Sequence, residues 1–499
     1  GLRFEYRRLP YDKRDNIATW IPAGPAFSGP GNAILLTAAP AALNDSFCTD
    51  PSYAYLHNAT GQCVIGTSAE RAQLGFTGYA AKSLVNSPTG YWAPRFGIAW
   101  RPTNSNKFVI RTGYGIFIDT PNGNNLNVAG NNPIFTPTTQ YTTALGQPPP
   151  LTNGLPTTSE TVFAGAAGIP PLIDQSLQMN VTPDYRYPYV QEWSFGVSSQ
   201  LANNWALELN YIGNKGTNLS TLHDPGNQPL PGLGPLQPRR PYPGLNSIVY
   251  VSSNGNSNYN ALQARLERRM SKDFTLLTSF TWARSMDDNG GDEETQSLIQ
   301  NDNDIGADYG RFADDARHNL VVSGVYTLPF GQGEHFLNQG GLVNTALGGW
   351  QLSGIVTYQS GFPFNISTST DYSNTGSPQY RPDRICNGAG PKTVAEWFDT
   401  SCFTTAYEQA ALAAGSPIFG NAARNILDAP PLHNWDIALL KNFRLSERFT
   451  LQFRSEFYNL FNTPHFAAPN AKVGTSTYGE ITGTVADPRD IQFGLKLLF

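Results

Sequence analysis

Apolar and polar side chains alternate residue by residue in many separate stretches of this sequence. The clearest stretch runs from Arg448 to Tyr458. One set of alternate positions carries the apolar residues Phe449, Leu451, Phe453 and Phe457. The other set carries Thr450, Gln452, Arg454, Glu456 and Tyr458. Because successive side chains of a β-strand point to opposite faces, a period of two predicts a strand with one apolar and one polar face.

The same alternation recurs along the chain and predicts twelve strands. They span approximately 2–8, 95–101, 107–118, 189–201, 205–213, 258–269, 274–286, 318–328, 348–360, 434–444, 448–461 and 489–499. We expect them to form one meandering antiparallel sheet. The residues expected on its convex face are Trp193, Leu207, Phe453 and Phe493. Those expected on its concave face are Arg265, Glu208 and Arg454.

The connections between these strands alternate strictly between long and short. The long ones span about 9–94, 119–188, 214–257, 287–317, 361–433 and 462–488. The short ones include 202–204, 270–273 and 445–447, although the turn at 329–347 is longer. Short periplasmic turns facing long external loops are the pattern of outer-membrane barrels. The sequence therefore predicts an all-β, transmembrane antiparallel β-barrel, with bacterial outer-membrane lipid around its wall.

The composition agrees with a membrane barrel. Charged residues make up 14% of the 499 residues, against roughly 25% in ordinary soluble domains. Yet no stretch reaches the roughly 18 apolar residues of a membrane helix. Several tryptophans lie near strand ends, as expected of interfacial girdles. The net charge of −5, without a basic stripe, argues against a nucleic-acid partner.

Four cysteines fall in two local pairs within the predicted long loops. Their spacing favours the disulfides Cys48–Cys63 and Cys386–Cys402, which suit loops facing an oxidising space. The alternative is four unpaired thiols. A zinc site is disfavoured because no CxxC spacing is present.

The segment 287–315 is strongly acidic and could hold a metal ion. Its candidate calcium ligands are Asp292, Glu293, Asp302 and Asp304, since Ca²⁺ binds hard oxygen ligands. The spacing of an EF-hand loop is missing, so we favour a solvated external loop. Catalytic and nucleotide-binding signatures such as HExxH, GxSxG, the P-loop and GxGxxG are also missing from the sequence. We expect no enzymatic activity and no cofactor.

Several segments resemble TonB-dependent receptors, specifically the Oar-like subfamily. The resemblance is carried in order by Trp92 to Asp119, Tyr189 to Leu219, Asn258 to Asp287, Asp308 to Gly331, Gly348 to Pro363, Asn434 to Pro464 and Asp487 to Phe499. Members of this family have a barrel of roughly 22 strands filled by an N-terminal plug. The resemblance implies that this chain supplies about the last twelve strands. The plug, the box that TonB grips and the first strands would be absent from it.

The resemblance further implies energised import of a scarce solute, such as a siderophore, a glycan or a peptide, with TonB as partner through the missing N-terminal part. Two alternatives stay open: a structural or adhesion barrel without import, and a soluble all-β enzyme. The last strand resembles the signal read by the barrel-assembly machinery. That signal would comprise Phe493, Leu495, Leu497 and Phe499, and the alternative is a plain amphipathic strand.

Overall fold

The computed structural model describes most of the chain in ranges separated by gaps. The described residues are 1–6, 18–21, 34–37, 76–78, 88–103, 107–119, 177–181, 185–223, 227–241, 248–271, 273–288, 299–377, 379–446 and 448–499. Within these ranges, none of the helices has the length and apolar character needed to cross a membrane.

Twelve long strands dominate the structure, one for each predicted strand. They are β1 (Leu2–Tyr6), β2 (Gly90–Trp100), β3 (Phe108–Ile118), β4 (Tyr189–Ala202), β5 (Trp205–His223), β6 (Ile248–Ser271), β7 (Phe274–Asp287), β8 (His318–Thr327), β9 (Trp350–Gln359), β10 (Leu432–Arg444), β11 (Thr450–Tyr458) and β12 (Asp490–Leu498). Each strand pairs antiparallel with its neighbour in the sequence, from β1 through to β12. This arrangement confirms the predicted meander.

The strand register divides the side chains into two rows. Arg265 lies opposite Glu208 on β5 and Ser279 on β7, and the same face continues to Asp436 and Arg454. We call this face the polar row. The other face, the apolar row, carries Trp193, Leu207, Leu266, Val322, Leu439, Phe453 and Phe493. The two predicted sets therefore lie on opposite faces of the sheet and do not mix.

The apolar row carries two levels of aromatic and imidazole rings. Four consecutive strands, β7 to β10, each have two such rings eight residues apart. The pairs are Phe274 and Trp282, Tyr326 and His318, Trp350 and Tyr358, and Phe443 and Trp435. Eight residues of strand span about 26 Å, or roughly 20 Å across a sheet whose strands tilt by about 40°. This separation is close to the height of the apolar band in an outer-membrane barrel.

Rings on neighbouring strands contact each other at both levels. At one level, Trp282 stacks on His318 with ring centroids 6.4 Å apart, and Tyr358 meets Trp435 edge to face at 6.3 Å. At the other level, Phe274 meets Tyr326 edge to face at 5.9 Å. Each level therefore contains rings that contact each other across neighbouring strands.

Strands β5 and β6 extend beyond the bounds that the sequence predicts. Their pairing continues past Gly213 as far as His223 opposite Tyr250. Polar residues predominate in these extensions, although Ile248 to Val251 are apolar, so the alternation that marks an apolar wall is lost there while backbone pairing persists. Part of the predicted loop 214–257 is therefore a hairpin that stands beyond the apolar band.

The connections also contain short regular elements. Within the described residues, the helices are α1 (Leu342–Leu347), in the turn between β8 and β9, and α2 (Ala406–Ala413), with 3-10 turns at Gln237–Arg239, Ile305–Asp308 and Thr400–Cys402. Short strands pair Pro363–Phe364 with Leu427–Asp428, Ser367–Thr368 with Lys472–Val473, and Asp383–Arg384 with Phe403–Thr404. Leu177–Val181 joins β6, Gly310–Arg311 joins β7, and Ala18–Ile21, Ile34–Thr37 and Phe76–Gly78 form a separate sheet.

Candidate functional site

The polar row carries ion pairs that follow directly from strand geometry. Residues two apart on a strand share a face, as do residues opposite each other on neighbouring strands. Arg265 accordingly contacts Glu267 on its own strand at 3.0 Å and Glu208 on β5 at 3.7 Å. Arg454 contacts Glu456 in the same way, at 2.8 Å. These side chains are partly exposed, so each pair contributes less than about 1 kcal/mol to stability.

A groove of about 560 Å³ runs along the polar row from β6 to β11. Its charged lining consists of Arg265, Glu267, Arg268 and Arg269 on β6, Asp436 on β10 and Glu456 on β11. The volume falls within the roughly 300–1,000 Å³ typical of ligand pockets. The groove thus has cations at its β6 end and carboxylates at both ends, so it suits a polar occupant that offers both donors and acceptors. Sequence alternation alone locates these residues, because it identifies the face to which each belongs.

Segments of four long connections pack together into one body, which we call the loop assembly. It consists of residues 227–241, 299–317, 360–377, 379–431 and 459–489. Hydrogen bonds join the segments: the Gln228 side chain to the Gln300 carbonyl at 3.1 Å, and Asn374 to the Gly232 carbonyl at 2.9 Å. Its buried apolar core comprises Ile366, Trp397, Phe398, Cys402, Phe403, Leu427 and Ile481. The described parts of these four connections therefore form a folded unit with its own core.

A disulfide joins Cys386 to Cys402, with Cα atoms 4.9 Å apart. Cys402 belongs to the buried core of the loop assembly and is 1% exposed. Within the described residues, the one group of three potential metal ligands is Cys386, Cys402 and Asp399, and the disulfide occupies both of its sulfurs. Cys48 and Cys63 lie outside the described residues, so their pairing stays a prediction.

Three buried arginines pair with carboxylates of the acidic segment 287–315. Arg424 contacts Asp287 and also donates to the Asp308 carbonyl at 3.0 Å. Arg381 contacts the carboxylate of Asp308. Arg311 contacts Asp315 at 2.7 Å, and it reaches Asp428 of the loop assembly at 2.5 Å. Charges held away from water need such partners, so these pairs keep the acidic segment folded against residues 379–431 of the loop assembly.

The expectation of a solvated acidic loop is therefore wrong for part of the segment. Asp287, Asp288, Asp302, Asp308 and Asp315 are all buried. Arginines compensate the charges of Asp287, Asp308 and Asp315, and two of these arginines come from residues 381–424, far along the chain. Asp288 instead accepts hydrogen bonds from Asn256. Arginines within predicted loops were the signal available in the sequence, but nothing local indicates which aspartate each one meets.

The predicted calcium ligands are only partly described. Asp302 is buried and its backbone amide donates to the Gln228 side chain at 2.7 Å, whereas Asp304 is exposed. Asp292 and Glu293 lie outside the described residues. The calcium site stays a prediction.

Glu408 of α2 is a buried carboxyl group within the loop assembly, 1% exposed. Burial raises its pKa to about 7, and the neighbouring carboxylate of Asp383 adds to the rise. The adjacent cavity, lined also by Gln300 and Arg381, measures about 10 Å³, close to the volume needed for a single water. The interior of the loop assembly is therefore packed around this carboxyl group.

The final strand presents a strongly exposed apolar edge. Phe493 is 68% exposed and Leu495 72%, and the terminal Phe499 is 89% exposed. Leu497 lies on the same face, and Phe493 stacks on Phe453 of β11 with centroids 6.4 Å apart. These residues continue the apolar row; recognition by the assembly machinery stays a prediction.

Comparison with protein families gives one extensive match. The family model described as "Outer membrane beta barrel domain" matches residues 1–492. No curated protein matches the chain.

Solved structures give distant similarities. The outer membrane transporter YddB from Escherichia coli has 10% identity and a TM-score of 0.43 over 82% of this chain. The siderophore receptor PiuA from Acinetobacter baumannii has 11% identity, a TM-score of 0.38 and the same 82% coverage. The ferripyoverdine receptor of Pseudomonas aeruginosa has 9% identity and a TM-score of 0.39, again over 82%. The chain spans 40%, 36% and 33% of these three proteins respectively.

Proposed function

The chain belongs to the outer membrane β-barrel domain family, and we propose that it forms the later wall of a TonB-dependent receptor that imports a scarce solute. Membership of this family places it in the bacterial outer membrane. The apolar row is then the lipid-facing surface and the polar row faces the lumen. The twelve strands would be about the last twelve of a barrel of roughly 22.

The observation that carries this proposal is the charged groove on the polar row. A barrel that serves only as a membrane anchor has no need of both cations and carboxylates around a cavity of about 560 Å³. Such a surface suits a folded, polar occupant. In the receptor family that the sequence resembles, this occupant is the N-terminal plug, and solute passes when the plug rearranges.

The loop assembly supports the same proposal from the other end of the strands. Long connections of outer-membrane barrels face the exterior, where an oxidising environment maintains disulfides such as Cys386–Cys402. Buried ion pairs join two of these connections, and hydrogen bonds attach the other two, so that four connections form one body above the lumen. We propose that this body forms the outer vestibule in which solute first binds.

Import is tested by comparing which solutes cells remove from their medium. The full-length gene is deleted, restored, or combined with deletion of the TonB gene, and spent media are compared by mass spectrometry. We expect at least one solute to be depleted only when both the receptor gene and TonB are present, because import against a gradient requires energy from the inner membrane.

A restored receptor with Arg265→Ala and Glu267→Ala provides the matched variant. It removes charges from the groove but leaves the apolar row unchanged, and we expect depletion to slow at equal protein abundance. Depletion that requires the gene but not TonB would indicate a passive channel. An unchanged medium together with altered cell adhesion would instead favour a structural or adhesion barrel.

A further inference from the structure

The turn between β8 and β9 differs from the other short connections at its end of the sheet. It spans residues 328–349, whereas β4 and β5 are joined through Asn203 and Asn204 alone. The turn is internally bonded: the Asn344 side chain accepts from the Gln332 amide at 2.8 Å, and that of Asn338 accepts from the Gly333 amide at 2.7 Å. It is therefore an ordered feature that is longer than the connection of two paired strands requires.

Lys441 fixes this turn against the apolar row. Its ammonium group donates to the carbonyls of Ala346 and Gly348 at 3.1 and 2.6 Å, and the residue is 2% exposed. These carbonyls end α1, where a cation satisfies unpaired acceptors and interacts favourably with the helix dipole. The same ammonium lies 4.9 Å from the ring centre of Trp350 and 5.0 Å from that of Phe443.

The position of Lys441 determines the side of the wall on which α1 lies. Lys441 is opposite Phe453 on β11 and opposite Trp350 on β9, and both rings belong to the apolar row. The indole nitrogen of Trp350 also donates to the Ala346 carbonyl, at 3.0 Å. The end of α1 therefore rests on the outer surface of the wall, at the level of the aromatic band formed by Trp350 and Phe443.

The surface of the turn is apolar and unusually exposed. Leu342 is 88% exposed and Phe336 58%, and Leu347, Leu337 and Val343 are 46%, 45% and 38% exposed. Glu334 is the only carboxylate between residues 328 and 349, and the sequence there contains no lysine or arginine. Such a cluster is unfavourable in water, since the transfer of apolar side chains out of water is favourable.

We propose that the turn 328–349 is an interfacial anchor that inserts into the phospholipid leaflet around the periplasmic rim of the barrel. Phospholipid is the occupant because the patch continues the lipid-facing row directly, from Trp350 and Phe443 onto α1. Helices of this kind lie about 5–10 Å into the boundary between headgroups and acyl chains. The assignment to the periplasmic rim rests on the orientation given under the proposed function.

The proposal is tested by attaching an environment-sensitive fluorophore at single engineered cysteines. Leu342→Cys probes the turn, Asn203→Cys a short polar turn at the same end, and Val322→Cys the wall. The full-length receptor is reconstituted into vesicles of phosphatidylethanolamine and phosphatidylglycerol. Quenching is measured with nitroxide-bearing lipid and, separately, with iodide, and the receptor without an added cysteine gives the background.

We expect lipid nitroxide to quench the probe at position 342 severalfold more than the probe at 203, with the opposite order for iodide. Equal iodide quenching at the two positions would overturn the anchor. Protection of position 342 from both quenchers would also overturn it, because a second copy or another protein would then cover the patch. Absence of lipid quenching at position 322 would overturn the barrel placement as well, which separates the two failures.

Discussion

The wall, which is the sheet of strands β1 to β12, and the loop assembly keep apolar side chains away from water in opposite ways. Phe493 of the wall is 68% exposed and Trp92 of the wall is 62% exposed, because lipid replaces the protein core on that side. Phe398 of the loop assembly is 0% exposed and Ile366 is 1% exposed, as in a water-soluble domain. One chain therefore contains a sheet whose apolar side chains face lipid and a body whose apolar side chains are buried away from water.

The two regions also differ in how far apart their partners lie in the sequence. Each wall strand pairs with the next strand of the meander, whereas Arg424 meets Asp287 across 137 residues. Backbone hydrogen bonds hold the wall together and tolerate almost any side chain. Buried ion pairs hold the loop assembly, so it depends on individual residues. We therefore expect single substitutions to destabilise one region while leaving the other folded.

The largest effect is expected for Arg424→Ala. This change removes the arginine that pairs with the buried carboxylate of Asp287, at a cost of about 3–5 kcal/mol to the loop assembly. Hydrogen exchange should rise across residues 360–431, while the wall keeps its heat-modifiable mobility on gels. The control is Arg269→Ala, because the Arg269 side chain is 80% exposed and its pairing with Glu267 contributes little. Equal exchange in the two variants would contradict the role of the buried pair.

The second prediction compares two neighbouring residues of β8. Val322 lies on the apolar row and Ser323 on the polar row, and both are half-buried. Val322→Arg places a charge in lipid, costing about 2–4 kcal/mol near the bilayer midplane. Ser323→Arg points to the groove and should cost less. The free energy of unfolding in vesicles, measured in urea, checks the difference; equal losses would mean that the rows do not separate lipid from lumen.

The third prediction concerns the pH dependence of the loop assembly. The pKa of Glu408 is about 7 in the folded chain, against 4.5 for an ordinary glutamate. Ionisation therefore opposes folding: stability is full below about pH 4.5 and falls as the pH rises to about 7. The loss is at most about 3 kcal/mol.

Glu408→Gln should abolish this loss. Hydrogen exchange of residues 401–414, corrected for the intrinsic rate, should be faster at pH 8 than at pH 5 in the parent protein and similar at both in the variant. Glu396→Gln alters an exposed carboxylate of the same loop and serves as the control. A parent protein with no pH dependence in this region would count against the buried carboxyl.

The smallest effects on stability are expected at the margins of the wall. Phe449 precedes β11 and is 41% exposed, so Phe449→Arg places its charge near an interface and should cost only about 0–1 kcal/mol. Urea unfolding beside Val322→Arg measures this depth dependence. A cost at position 449 equal to that at 322 would mean that the band is wider than the ring levels indicate.

Deletion of Phe499 separates stability from delivery. The residue is 89% exposed, so its loss should leave the unfolding free energy nearly unchanged. If the last strand is an assembly signal, outer-membrane fractions should nevertheless lose the heat-modifiable form of the full-length receptor. Normal insertion without Phe499 would identify β12 as wall only.

The sequence predicts the wall well because its signal is local. A period of two in a stretch such as Arg448–Tyr458 indicates lipid on one side of the sheet and water on the other. It therefore predicts both the strand and the face on which each side chain lies. The same signal ends at Gly213, where β5 leaves the apolar band, so the polar extension of the β5–β6 hairpin is not predicted. Sequence periodicity predicts neither the pairing of Arg424 with Asp287 nor the burial of Glu408. It also does not predict the contact of Lys441 with α1, because a lysine on an apolar row indicates only that its ammonium group needs a partner.

Labels along β11 give the sharpest test that the apolar row faces lipid and the polar row faces the lumen. Each residue from Thr450 to Tyr458 is replaced in turn by a spin-labelled cysteine in the full-length receptor in vesicles, and its accessibility to oxygen is compared with that to a water-soluble nickel complex. We expect an oscillation with a period of two residues, with oxygen preferred at Leu451, Phe453 and Phe457. A flat profile, or oxygen preference at Gln452, Arg454 and Glu456, would contradict it.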